Sequence, residues 1–203
     1  MDLEKRKRIN KKIFTVFGIF IVLIIVLFAL LPNDKSTTTE QTQGESKSER
    51  VMSESEIKRF NEYAPKLAGG TLIKEAKAND SVAEVVYADF EEHKKLHPKD
   101  KMTKQLFDDY WGTGDKINKV LMEEPLRLLR EFPSLNDVKM TVNYNGKKYH
   151  VEVNRKTIEE YFNINLDEIH NDESLDKWRT KVVQVYFTKE EREKYVAKFI
   201  KTN

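Results

Sequence analysis

The sequence predicts an α+β domain over residues 53–203, with antiparallel β-hairpins covered by helices, and two observations carry that expectation. First, Asn145-Gly146 divides two runs that alternate apolar and polar residues, DVKMTVNY and KKYHVEVN, and supplies the positive φ values that a type I′ hairpin turn requires. Second, stretches with apolar residues at helical spacing stand before, between and after the candidate strands.

Taken in chain order, Ile57, Phe60, Ala64 and Leu67 mark a first helix, with Ser53 or Ser55 as its cap. Residues 71–77 and 81–89 read as one hairpin, turning through Ala78-Asn79-Asp80. Leu106, Phe107, Tyr110 and Trp111 mark a second helix. Ile117, Val120, Leu121, Leu128, Leu129 and Phe132 mark a third, which Pro125 kinks or restarts.

The two-residue loop then sets the register of the main hairpin. Tyr144 pairs with Lys147, Val142 with Tyr149, Met140 with Val151 and Val138 with Val153, all on one apolar face. Lys139 opposite Glu152 and Thr141 opposite His150 make the other face polar, so helices must cover one side only. Asn154 can cap a short helix carrying Ile158, Tyr161 and Phe162. Residues 181–187 read as a fifth strand. Thr188 with Glu191 forms a capping box for a last helix with Val196, Phe199 and Ile200. The expected order is α, ββ, αα, ββ, α, β, α.

Ahead of this domain, residues 13–31 form an apolar run without a charge, IFTVFGIFIVLIIVLFALL. As a helix it spans roughly 28 Å, close to the hydrocarbon thickness of a bilayer. It is longer than a secretory signal core and exits through Leu30-Leu31-Pro32-Asn33 without a small-x-small cleavage site, so it reads as a retained anchor over residues 13–32. Lys5, Arg6, Lys7, Arg8, Lys11 and Lys12 precede it, and the positive-inside bias assigns residues 1–12 to the cytoplasm. Everything beyond Pro32 is then extracytoplasmic, in a single-pass membrane protein. Residues 33–52 lack an aromatic, and an aliphatic until Val51, and read as a disordered linker with a reach of roughly 25 Å.

Charge and composition narrow the function classes. The chain has 36 Lys and Arg against 34 Asp and Glu; six of the basic and two of the acidic residues lie in the first twelve, leaving 30 against 32. The mild basicity is thus a topology signal, and no nucleic-acid partner is expected. There is no Cys, which removes disulfides, thiol nucleophiles and thiolate metal sites. In compositional style, rich in Lys, Asn, Glu and Ile and free of Cys, the exported part resembles surface proteins of low-GC Gram-positive bacteria.

Chemistry-bearing motifs are sparse. In YADFEEHKKLHPKD, His93 and His97 stand four apart, a spacing that can present two imidazoles to one metal. Lys94, however, occupies the place where a zinc-peptidase helix carries its Glu, and Pro98 ends the helix, so the pair reads as two solvated histidines. Ser55-Glu56-Ile57-Lys58 matches an SxxK pattern but has no SDN or KTG companions. The acidic pairs Asp108-Asp109 and Asp167-Glu168 mark solvated faces. Tyr110-Trp111-Gly112-Thr113-Gly114-Asp115 lacks a phosphate-loop signature, yet puts two aromatics on a glycine-flanked loop, where Asp115 or Thr113 can cap the next helix. The plainer reading is a tight helix–helix turn with Trp111 filling the core; if the domain carries a recognition surface, Tyr110, Trp111, Gly112, Gly114 and Asp115 are the candidate segment.

The expected function is a membrane-anchored extracytoplasmic interaction domain of a bacterial cell envelope, an accessory or assembly factor that docks another envelope protein. No catalysis, cofactor or small-molecule ligand is called for. A ligand-binding or sensor module is the alternative, and a metal-dependent hydrolase using His93 and His97 stands third.

Overall fold

The computed structural model describes residues 50–113 and 115–203, which fall within one unit, Ser48–Asn203. Residues 1–12, the apolar run at 13–31 and nearly all of the linker lie outside the described residues. Among the described residues no helix is long and apolar enough to cross a membrane.

Folding begins earlier than the sequence suggests. Arg50 donates from Nη1 to the Pro133 carbonyl at 2.6 Å and forms a two-pronged pair with Asp167, and the Met52 N–H donates to Asp80 O at 2.6 Å. Met52 is buried. Residues 50–52 thus belong to the folded unit rather than to the linker, because their polar groups have partners there that composition does not disclose.

Helix α1 (Glu54–Tyr63) starts at Ser53, whose side chain and Glu56 form a reciprocal capping box. A Gly69-Gly70 bend leads into β1 (Ile73–Asn79) and β2 (Val82–Tyr87), closed by the two-residue loop Asp80-Ser81 where the three residues Ala78-Asn79-Asp80 were expected. Asp80 takes a φ of 52°, as the first central position of a primed hairpin turn demands. Helices α2 (Phe90–Leu96), α3 (Lys104–Gly112) and α4 (Lys116–Glu131) then intervene before β3 (Asp137–Tyr144) and β4 (Lys147–Asn154). The predicted β3–β4 register is reproduced at every pair, with Asn145 and Gly146 at positive φ. Helices α5 (Arg155–Phe162) and α6 (Leu166–His170) follow, the first capped by Asn154 as expected.

Three expectations need correction. Of the two readings of Pro125 the restart is excluded, since α4 runs through it; the lost backbone bond is offset by burial of Leu121, Met122, Leu126, Leu128 and Leu129. Residues 181–187 are not a strand. They belong to a π-helix (Trp178–Val183) and a short α7 (Gln184–Tyr186), where the buried Trp178 and Val182 keep helical spacing while Val185 is exposed. The place beside β4 goes instead to β5 (Ile200–Thr202), which leaves the end of α8 (Lys189–Phe199). Thr188 caps α8, but the carboxylate of Glu191 turns to Lys194 at 2.7 Å.

The sheet order is β1-β2-β3-β4-β5. It is mixed rather than antiparallel, because β3 runs parallel to β2. Each hairpin is antiparallel by its own turn, whereas the three-helix connection brings the second hairpin back in the same direction as β2. Helix α4 lies on the apolar side of β3 and β4, and the core gathers there around Phe60, Phe132, Leu128, Val138, Met140 and Val151.

The end of α4 is closed by a charge. Arg155 is only 3 % exposed; its Nε donates to Leu135 O at 2.7 Å, and Nη2 to the carbonyls of Leu129 and Phe132. The helix end leaves the Leu129 carbonyl without its i+4 donor, because residue 133 is a proline, whereas the Phe132 carbonyl also accepts from the Leu135 N–H at 3.0 Å.

Candidate functional site

Side chains alternate across the sheet, so the residues opposite the core form a second surface, which among the described residues no helix buries as a whole. Register assigns its rows. One row runs Lys77, Glu84, Lys139, Glu152 across β1 to β4, with Lys77 3.2 Å from Glu84 and Lys139 3.0 Å from Glu152. The signs alternate from strand to strand, which is the favourable cross-strand arrangement. The next row runs Glu75, Val86, Thr141, His150, Lys201 across all five strands.

The centre of this second row is less polar than its surroundings. Val86 and His150 are half-buried, and Thr141 is buried although it faces away from the core. Thr141 Oγ1 and His150 Nδ1 are 3.0 Å apart. Partial burial pushes the His150 imidazole below its ordinary value, Lys148 adds to the effect, and Glu152 opposes it. His150 is therefore mostly neutral at pH 7.

At one end the surface meets α2. A shallow cleft of about 330 Å³ is lined there by Asp89, Glu92, Asn143, Tyr144, Gly146, Lys147, Lys148 and Asn203. Its carboxylates are already engaged. Asp89 caps α2 through the Glu92 N–H, and Glu92 accepts from the Asp89 N–H and from Lys74, which holds it below the usual carboxylate range. A second cleft of about 370 Å³, lined by Lys74, Glu75, Glu92, Lys95 and Leu96, shares that same Glu92.

The recognition segment proposed from sequence is not assembled into one surface. Trp111 is 2 % exposed and sits on α3 rather than on a loop, edge-on to Tyr87 with ring centroids 5.3 Å apart. An exposed interface anchor is thus excluded for this residue, because helical spacing points it into the core. Tyr110 is half-buried and lies under Lys116, whose Nζ is 4.8 Å from the ring centroid. Gly112 ends α3 where a Cβ would come within 2.7 Å of the Tyr144 hydroxyl. Asp115 has a φ of 60° and does not cap α4 with its side chain; its carboxylate accepts from Arg192 Nε at 2.8 Å and from Asn118. Gly114 lies outside the described residues, as do Lys5, Arg6, Lys7, Arg8, Lys11 and Lys12.

The histidine pair also departs from expectation. His97 is exposed, but His93 is 1 % exposed, with Nε2 3.0 Å from Asp100 Oδ2. One imidazole is thus a buried, hydrogen-bonded part of the α2 packing and not solvated, and the ring centroids lie 5.0 Å apart. Among the described residues no group of three His, Asp or Glu stands together in a metal-holding arrangement.

One buried carboxylate lies away from the open face. Glu124 in α4 is 5 % exposed, accepts a backbone hydrogen bond from Ala68 and has Arg127 Nε at 3.3 Å. Burial raises its pKa despite Arg127 and the Ala68 N–H. A raised carboxyl pKa means that the folded state holds the proton more tightly than the unfolded state. Stability therefore falls as pH rises from the ordinary carboxyl value through the folded one, and the penalty persists above it. Glu124→Gln keeps an acceptor for Ala68 and loses an ion pair worth less than about 1 kcal/mol. The variant is expected to gain stability relative to the natural chain as pH rises from 4 to 7, read from denaturant midpoints at both pH values. A difference that does not change with pH would contradict the assignment.

Sequence reasoning placed Thr141 and His150 on the polar face but missed Val86 and Lys201 beside them, since no local signal joins β2 to β3 or β5 to β4. Compared with family models, with curated proteins and with solved structures, the chain matches none.

Proposed function

We propose that the chain is a membrane-anchored interaction module of a bacterial cell envelope, which presents the open face of its extracytoplasmic sheet to another envelope protein. The observation that carries the reading is the strip Val86, Thr141, His150, with Val86 and His150 half-buried on either side of the buried Thr141 and bordered by Glu75, Lys201 and the Lys77-Glu84-Lys139-Glu152 row. A less polar centre inside a charged rim is the arrangement that protein interfaces use. The apolar run at 13–31 and the basic flank before it support the anchoring and its direction.

The test is crosslinking of the full chain in its own membranes, with the natural chain and Val86→Arg compared by mass spectrometry, and protease access to the domain read from both sides. Val86 faces away from the core but is half-buried, so the substitution is expected to cost about 1 kcal/mol, and far-UV circular dichroism confirms that the variant is folded. The expected result is a stoichiometric partner crosslinked to the natural chain and lost with Val86→Arg, from a domain cleaved only from outside. A partner retained by Val86→Arg, or a domain cleaved only from the cytoplasmic side, would refute the reading.

A further inference from the structure

Among the described residues strand β1 is an edge of the sheet, and one side of its backbone has no strand beside it. The two-residue loop closes on Asn79 and Val82, which makes 79–82, 77–84 and 75–86 the hydrogen-bonded pairs with β2. The N–H and C=O groups of Ala76 and Ala78 therefore point outward. Among the described residues nothing else bonds to them. The strand contains no proline, and its two outward-bonding positions carry the smallest side chain that still has a Cβ.

We infer that two copies of the chain pair through β1 in an antiparallel two-fold arrangement, with Ala76 opposite Ala76 and Glu75 opposite Lys77 of the second copy. The register follows from charge. Only even positions can exchange hydrogen bonds across the new seam, so the alternatives differ by steps of two. Moving one step in either direction sets Glu75 against Glu75 or Lys77 against Lys77, and like charges directly opposite are destabilising. The central register instead gives two opposite-charge pairs at the non-hydrogen-bonded positions, where side chains approach most closely.

The seam also extends what each copy already has. Glu75 of the second copy joins the row Lys77, Glu84, Lys139, Glu152, so the alternation of sign continues through the edge. Lys77 bonds Glu75 of its own chain at 3.0 Å, but both side chains are more than half exposed, and such a pair rearranges at little cost. Two five-stranded sheets become one continuous sheet, and the partner at this edge is a second copy, whatever docks on the open face.

The absence of Cys makes the experiment direct. In an antiparallel hydrogen-bonded pair the Cα atoms are about 5.5 Å apart, within disulfide reach, so Ala76→Cys in the full chain in detergent micelles is expected to form a disulfide dimer on mild oxidation. Glu84→Cys, on the neighbouring strand, serves as the control and is expected not to crosslink. Without crosslinking, Lys77→Glu is expected to weaken dimerisation at least about tenfold by sedimentation. The double exchange Glu75→Lys with Lys77→Glu restores it, and far-UV circular dichroism confirms that each variant is folded. A natural chain that sediments as a monomer, a dimer indifferent to Lys77→Glu, or a failure of the double exchange to rescue would overturn the proposal.

Discussion

Trp111→Ala is expected to destabilise the domain by about 3–5 kcal/mol, the range for truncating a buried aromatic. The indole is 2 % exposed and packs edge-on to both Tyr87 and Tyr110, at 5.3 Å and 4.9 Å between centroids. Tyr87 itself is fully buried and holds the Ala68 carbonyl through its hydroxyl at 2.9 Å, so the cavity opens beside the bend that leads into β1. Among the described residues the indole Nε1 has no hydrogen-bond partner. Trp111→Phe therefore removes volume but no hydrogen bond, and is expected to cost only about 1–2 kcal/mol. Chemical denaturation of the two variants beside the natural chain checks both numbers. Equal losses would mean that packing against Tyr87 is not what Trp111 supplies.

The second large effect is expected at Arg155. Arg155→Ala leaves the carbonyls of Leu129 and Leu135 without this donor, while Phe132 keeps the Leu135 N–H, and is expected to cost about 3–5 kcal/mol, since each buried unpaired group is worth roughly 1–3 kcal/mol. At roughly 2–4 °C per kcal/mol for a domain of this size, the melting temperature should fall by about 10 °C. Arg155→Met separates the causes. It keeps most of the packing of the stem while removing every donor, so a loss close to that of alanine assigns the effect to the hydrogen bonds. A methionine variant as stable as the natural chain would assign it to packing alone.

Arg155 gave no sign of its role in sequence, and Trp111 gave two conflicting ones. Trp111 stands next to a Gly-Thr-Gly stretch, and residue type alone made a loop position and an interface role attractive. Its spacing from Phe107 is helical, and that spacing prevailed, since both residues are buried on α3. Arg155 directly follows the Asn154 cap and looks like an ordinary exposed first-turn residue. Its burial depends on the chain from Phe132 to Leu135 folding back over it, which is a tertiary event.

The same division holds for the open face. The turn Asn145-Gly146 and the alternation around it were enough to pair Thr141 with His150 and Lys139 with Glu152, because a two-residue loop leaves a single register once one face must be buried. Val86 beside Thr141 and Lys201 beside His150 required knowledge of which strands become neighbours. Residues 181–187 failed in the opposite direction. Their β-branched and aromatic character favours a strand, but the place beside β4 was filled by Ile200–Thr202, and Val182 instead packs with Trp178 as part of a helical turn.

By itself, then, the sequence determined the α+β class, a serine cap at 53 or 55, the caps at Asn154 and Thr188, both hairpins and the register of the second, because each depends on residues a few positions apart. Only the tertiary structure decided that the sheet is mixed, that β5 closes one side and leaves β1 as the other edge, and that Trp111 and His93 lie inside. Those outcomes depend on which surfaces meet across long stretches of chain. Burial and the direction of a crossover are properties of the packed whole, and no local pattern carries them.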